Sequence, residues 1–206
     1  MARVSQEHLD ARRRQILDGA ARCFARNGFH ATSMADVLAE VGLSAGAVYR
    51  YFRGKDELIA AIAAEAFAGI RGAFEEASRA TPPPTPDVLL GAVMRIFLEE
   101  RIPGGDRQAF ARLIIQVWSE TLRDEHLFQT LSDGYDGMRE AWAGLVEAYR
   151  ANGLMRADVP ADHVARTMIA TAQGFIAQQA LFGDVEVRIL EDGLRALMSM
   201  ETQSRS

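Results

Sequence analysis

The stretch GLSAGAVYRYFRGKDEL combines residue types that suit contact with a polyanion. Ser44 predicts a helix N-cap, where backbone N–H groups are free to face a phosphate. Gly46 has no side chain, so another molecule can approach the backbone closely. Tyr49 and Tyr51 offer hydroxyls for phosphate oxygens and rings for sugar or thymine methyl groups. Lys55 is the only lysine of the chain and supplies a point charge for one phosphate.

Each of these residues also has a structural interpretation. Tyr49 and Tyr51 are two positions apart, so they leave a helix in different directions and cannot easily both be buried. Val48 and Phe52, four apart, form the better core pair. Lys55 could be a solvated lysine, although a cation is poorly placed at a helix N-terminus.

The elements around this stretch form a helix-turn-helix pattern. The first predicted helix is RRRQILDGAARCFARNGF, which has helical spacing and ends at Asn27–Gly28. The second lies in ATSMADVLAEVG, with Thr32 or Ser33 as N-cap and Gly42 at its end, and the third lies in SAGAVYRYF. In such a motif the second helix usually enters the major groove of DNA with its N-terminal residues first.

The remaining chain also has helical periodicity, and no stretch of period two predicts a strand. A long helix starts at Lys55 and ends in the linker TPPPTP, residues 81–86. Helices are then predicted over residues 87–101, 107–122, 124–151, 160–182 and about 186–200, with a break at IPGGD. The fold class is therefore all-α, with a three-helix helix-turn-helix domain at residues 1–55 and a larger helical domain at residues 56–206.

Charge is distributed unevenly along the chain. Residues 1–55 carry nine basic and five acidic side chains, whereas the whole chain has a net charge of −5. A basic unit on an acidic body favours a polyanion partner for the first unit, although a solvated basic face is the alternative. Arg12, Arg13 and Arg14 could contact phosphate or form helix pairs such as Asp10–Arg14.

At this point the sequence resembles the DNA-binding segment of the TetR family of transcriptional regulators, over about 45 residues at many fixed positions. The resemblance implies a homodimer with a ligand-sensing C-terminal domain, which usually represses until a ligand binds. It also implies DNA contacts, by position, from Ser33, Ser44, Ala45, Gly46, Tyr49, Tyr51 and Lys55. Residues 149–181 are similar to the last helices of the family.

Three departures from the family pattern predict local effects. Gly54 replaces a capping Ser or Asn, so the following helix is expected to fray. Leu38 replaces a small residue where the two short helices cross, which predicts looser or shifted packing. Ala45, Gly46 and Ala47 offer no side-chain hydrogen bonds, so base readout is left to methyl and backbone contacts, Arg50, the tyrosines and DNA shape.

Other classes of protein receive little support from the sequence. The N-terminus lacks the apolar segment of a secretory signal, and no apolar run approaches the length of a membrane span. The single cysteine, Cys23, excludes an internal disulfide framework, indicates a reducing cytoplasm and is expected to be a buried apolar residue. The four histidines lack metal-ligand spacing, and we find no catalytic or phosphate-loop motif, so we expect no enzyme, cofactor or metal.

We predict a regulator that binds a palindromic double-stranded operator as a homodimer and is released by a small, largely apolar effector. The last two helices are broadly apolar and would form a four-helix bundle between subunits. The alternative is a helical ligand-binding or protein-interaction module without DNA binding. Effector contacts are expected among large apolar and scattered polar residues of the second domain: Phe97, Arg112, Gln116, Trp118, Phe128, Tyr135, Met138, Trp142 and Gln173.

Overall fold

The computed structural model describes residues 6–100, 106–183 and 185–199, and the side chains of residues 99 and 100 are outside this description. Within these ranges the chain is all-α, as predicted, and has no strand. The helices are α1 Gln6–Asn27, α2 Met34–Val41, α3 Ala45–Tyr49, α4 Lys55–Arg79, α5 Pro86–Arg95, α6 Arg107–Glu120, α7 Glu125–Ala151, α8 Ala161–Phe182 and α9 Val187–Met198.

Helices α1–α3 form a small head whose buried residues belong to the same hydrophobic cluster as those of the larger unit. Ile16, Phe24, Val48 and Phe52 are buried, which confirms Val48 and Phe52 as the core pair of α3. Cys23 is also buried and free, as predicted. Leu38 packs half-buried against the same core.

Helix α4 connects the head to the rest of the molecule without interruption. It begins at Lys55 although Gly54 gives no side-chain cap. The Glu57 carboxylate accepts a hydrogen bond from the Arg53 backbone N–H at 2.7 Å, and Asp56 and Glu57 in the first turn match the positive end of the helix dipole. These groups favour the start of α4, although no side chain caps its first N–H groups.

The proline-rich segment is a packed turn rather than the free linker that the sequence suggested. Pro83 and Pro86 are buried, and the Tyr149 hydroxyl donates to the Pro84 carbonyl. Burial raises the pKa of the Tyr149 phenol, so this hydroxyl keeps its proton as a donor.

The single helix predicted over 87–101 is instead α5 followed by a π-helical turn, Ile96–Glu100. The predicted break at IPGGD lies outside the described residues except for Asp106, which caps α6 through bonds from the Gln108 and Ala109 N–H groups. The last helix ends at Met198 within the described residues.

In the larger unit, α4 packs on α7, and both α6 and α7 pack on α8. Helix α5 packs on α9, and α1 of the head contacts α4 and α6. Two ion pairs tie α5 to α9: Arg195–Asp87 at 2.9 Å and Arg95–Glu191 at 2.5 Å. Among the described residues, no helix is both long and apolar enough to cross a membrane.

Candidate nucleic-acid interface

The outer face of α3 is open to solvent along most of its length. Ser44, Ala45 and Gly46 are exposed, Tyr49 is 47% exposed, and Tyr51 is half-buried. The Ser44 hydroxyl accepts a hydrogen bond from the Ala47 N–H at 3.4 Å, which starts the helix. Four of the predicted contact residues of this stretch are therefore accessible to an external partner, and Tyr51 is partly accessible.

Ser33 lies at the start of α2 in a capping box. Its hydroxyl accepts from the Asp36 N–H at 3.2 Å, and the Asp36 carboxylate accepts from the Ser33 N–H at 2.8 Å. The side-chain and backbone bonds from Ser33 lower the pKa of the Asp36 carboxyl. Ser33 is exposed, so its hydroxyl can also meet an external partner.

Gly46 has no role inside the molecule that requires a glycine. Its φ is not in the left-handed region, and a Cβ added there would meet no atom within 4 Å. Glycine in a helix costs about 0.5–1 kcal/mol relative to alanine. Other exposed helical glycines such as Gly72 share these properties, so Gly46 permits another molecule to come close to the backbone of α3 without itself indicating one.

Lys55 has internal contacts that the sequence did not reveal. Its ammonium donates to the carbonyls of Phe29 at 3.2 Å and His30 at 3.4 Å, and it lies 4.7 Å from the centroid of the Phe29 ring. The sole lysine thus fastens the turn between α1 and α2 to the start of α4. These internal contacts explain the position of Lys55 without a bound phosphate.

Much of the positive charge of the head is also engaged internally. Arg22 and Arg26 both pair with Glu40, at 2.9 Å and 3.1 Å, and Arg13 pairs with Glu65. Their bonds lower the pKa of the Glu40 carboxyl. Arg50, next to Tyr49, is exposed and free of ion pairs within the described part of the chain, so it is the nearest available cation to the face of α3.

A short turn, residues 28–30, joins this head to α6. The Gln116 side-chain carbonyl accepts a hydrogen bond from the Phe29 N–H at 2.9 Å, and His30 Nε2 lies 3.2 Å from Glu120 Oε1. We call residues 28–30 the junction turn. Because Lys55 binds the same turn, the junction turn links the head to α4 and α6 together.

The opposite side of α6 forms one wall of an apolar cavity of about 80 Å³, which we call the α4–α6 cavity. Helix α4 contributes Ile59, Ile62, Ala63, Ala66, Phe67 and Ile70. Helix α6 contributes Phe110, Leu113, Ile114, Val117 and Trp118, and Phe97 and Leu131 complete the lining. Helix α6 therefore faces the cavity on one side and holds the junction turn on the other.

The structure separates the nine residues predicted for effector binding. Phe97 and Trp118 line the α4–α6 cavity, and Met138 lines a different groove between α4 and α7. Trp142 is 1% exposed and packs on Phe74 at 4.7 Å between ring centroids, so it belongs to the core.

The other five lie elsewhere in the second unit. Gln116 is at the junction turn, and Arg112 donates to the Ala180 carbonyl at 3.1 Å. Phe128 is exposed on α7, while Tyr135 and Gln173 are half-buried. The sequence predicts no α4 residue for effector binding, because periodicity has no signal that distinguishes core from cavity lining. Among the described residues, no group of His, Cys, Asp and Glu could hold a metal.

Comparison with known proteins agrees with this geometry. The family model for bacterial regulatory proteins of the tetR family matches residues 16–62, and the model for the C-terminal part of BetI-type transcriptional repressors matches residues 91–199. The chain belongs to the TetR family. TetR-family proteins are DNA-binding transcriptional regulators, a class that generally lacks enzyme activity.

Similarity to individual relatives covers about a third of the chain in one case, and similarity to other relatives and solved structures covers most of it. A transcriptional repressor of Mycobacterium tuberculosis is 49% identical over 65 residues, which is 32% of this chain and 35% of that protein. The repressor AcnR of Corynebacterium diphtheriae is 28% identical across 89% of this chain and 88% of its own. FadR of Bacillus subtilis, solved with stearoyl-CoA, has a TM-score of 0.70 at 16% identity, covering 90% of this chain and 96% of FadR.

Proposed function

We propose that this TetR-family regulator is a cytoplasmic homodimeric repressor, and that a small molecule bound in the α4–α6 cavity releases it from a palindromic operator. The observation that carries the DNA-binding part is the exposed face of α3, where Ser44, Ala45, Gly46 and Tyr49 are open to solvent. Names of relatives such as AcnR support repression. The stearoyl-CoA complex of FadR supports a ligand within this fold.

The proposed DNA contacts are Ser33, Ser44, Ala45, Gly46, Tyr49, Tyr51 and Lys55, within a head that we place at residues 1–55. In this arrangement the start of α3 enters the major groove and the flanking hydroxyls reach phosphates. Arg50 adds the nearest unpaired cation. Two such heads in a dimer must lie about 34–36 Å apart to meet successive major grooves on one side of the duplex.

The proposed path of release runs through α4 and α6. Both helices line the α4–α6 cavity, and both hold the junction turn, through Lys55 and Gln116 respectively. A ligand that spreads α4 from α6 changes the position of the head relative to its counterpart in the dimer. A coupling of about 1–3 kcal/mol would weaken operator binding roughly 5- to 150-fold.

The primary test is selection of DNA from a random pool by the purified full-length protein. We expect an enriched sequence with two-fold symmetry and half-sites centred about one duplex turn apart. Affinity for that site should fall steeply with salt, because phosphate contacts release counterions. Failure to enrich any sequence would contradict the proposed function.

A further inference from the structure

The described side chains that line the α4–α6 cavity are entirely hydrocarbon except for one indole. All are Ala, Val, Leu, Ile, Phe or Trp, and the Trp118 N–H is the single hydrogen-bond donor among them. A ligand held there would find one donor and no charged partner on the described lining. The cavity therefore favours a molecule with few polar atoms.

Two charged side chains lie in a neighbouring groove. Arg71 and Asp133 line the groove between α4 and α7, which has Phe67 in common with the α4–α6 cavity. Phe67 packs tightly on Gly134, where an added Cβ would come within 2.2 Å of the Phe67 ring. This contact closes the cavity toward the charged groove, so a buried carboxylate would be left without a counter-ion.

A second apolar space continues the cavity on another side. It measures about 30 Å³, lies among α4, α5 and the π-helical turn, and has Ala66, Ile70 and Phe97 in common with the α4–α6 cavity. Phe97 belongs to the π-helical turn, an irregular element that often occurs at functional sites. A change in the Phe97 side-chain torsion would join the two spaces.

The dimensions indicate that such joining is needed. A dry apolar cavity of about 150 Å³ accommodates benzene, whereas the α4–α6 cavity measures about 80 Å³. The smaller space adds only about 30 Å³, so a ring would fit only if the Phe97 side chain also leaves its place and frees the volume it occupies. Phe97 is the largest of the three side chains that line both spaces, and Ile96 beside it is exposed.

We propose that the effector is an uncharged, predominantly hydrocarbon molecule of at least one ring, and that it binds by displacing Phe97 so that the two spaces become one. This inference rests on the proposed function, since it defines the ligand class of the same site. On the described lining, carboxylates and other anions would find no counter-ion in the cavity.

The test is calorimetric titration of the full-length protein, without DNA, with two probes of nearly equal shape. Nitrobenzene is uncharged and benzoate carries one negative charge. We expect nitrobenzene to bind, and in a parallel titration to quench tryptophan fluorescence, with benzoate at least about 100-fold weaker because an unpaired buried charge costs several kcal/mol. Benzoate affinity within tenfold of nitrobenzene would overturn the proposal.

Matched variants on α4 locate the probe. Ala63→Leu fills the α4–α6 cavity, whereas Ala64→Leu adds the same atoms one residue away, at an exposed position in the charged groove. We expect the first to reduce nitrobenzene affinity at least about tenfold and the second to leave it unchanged. The reverse pattern would place the probe in the other groove and contradict the proposal.

An enlarging variant tests the movement of Phe97 even if Ala63→Leu fails to fold. Phe97→Ala joins the two spaces permanently, so naphthalene should bind more tightly than to the original chain, by at least about fivefold. Equal naphthalene affinity would contradict the role of Phe97. Nitrobenzene could bind as expected and yet leave the affinity of the protein for the selected operator unchanged. That result would support the proposed ligand class and contradict the proposed release mechanism.

Discussion

At the scale of single residues, a substitution at Gly46 is expected to have opposite effects on stability and on operator binding. Gly46→Ala should stabilise the chain by about 0.5–1 kcal/mol, because alanine is the better helix former and the new methyl group meets open space. The same methyl group should weaken operator binding about tenfold, since forcing a methyl into a packed contact costs about 1–3 kcal/mol. Urea unfolding and operator titration measure the two effects.

The matched control is Gly72→Ala, an exposed position on α4 where a Cβ also meets open space. It should stabilise the chain by a similar amount and leave operator affinity unchanged. If both variants bind the operator like the original chain, close approach at Gly46 is disproved.

Lys55 is expected to act in both stability and DNA binding. Lys55→Met removes two carbonyl bonds and the contact with the Phe29 ring, so unfolding free energy should fall by about 1–2 kcal/mol. Operator affinity should also fall, and the slope of its logarithm against log salt should become shallower by about one. Denaturant unfolding and a salt series of operator titrations measure these effects.

Arg53→Ala is the control for Lys55, because it removes one charge nearby from a highly exposed side chain. We expect its unfolding free energy to stay within about 0.5 kcal/mol of the original. A Lys55→Met chain as stable as Arg53→Ala would show that the ammonium contacts contribute nothing to the junction turn.

At the scale of elements, the packing of α9 on α5 depends on a buried carboxylate. Asp87 is 2% exposed, and although burial alone would raise its pKa, hydrogen bonds from Thr85 and Arg195 outweigh that effect and lower it. A lowered folded-state pKa stabilises the fold above the ordinary Asp pKa of about 3.9, and this stabilisation is lost as pH falls through the folded-state value.

Asp87→Asn should therefore lower the unfolding free energy at pH 7 by about 1–3 kcal/mol and reduce its dependence on pH between about 5 and 2. Unfolding monitored by circular dichroism across that range measures both. Asp192→Asn removes an exposed partner of the same arginine and should change little. Equal effects from the two variants would contradict a special role for Asp87.

At the scale of the whole molecule, α8 and α9 expose an apolar surface that one chain leaves uncovered. Leu181, Phe182, Ile189, Leu197 and Met198 are all exposed, with Phe182 at 78%. This distribution supports the proposed four-helix bundle between subunits. Phe182→Glu should convert the dimer to a monomer and weaken operator binding at least about 100-fold, because both heads are needed for a two-fold site.

Sedimentation and operator titration measure that outcome. Leu122→Glu is the control, because Leu122 is 86% exposed but lies between α6 and α7. It should remain dimeric. A monomeric original chain would contradict the proposed dimer, whereas a Phe182→Glu chain that remains dimeric would place the interface elsewhere.

The sequence alone determined the all-α class, the helix-turn-helix and the buried pair Val48 and Phe52, because apolar spacing, caps and glycine stops act within a few residues. Tertiary structure decided what Lys55 and Gln116 do: both bind a turn at least 25 residues away along the chain. It also decided that Phe97 and Trp118 line a cavity while Trp142 fills the core. Helical periodicity shows which face is apolar, whereas the approach of neighbouring helices determines whether that face is filled or left open.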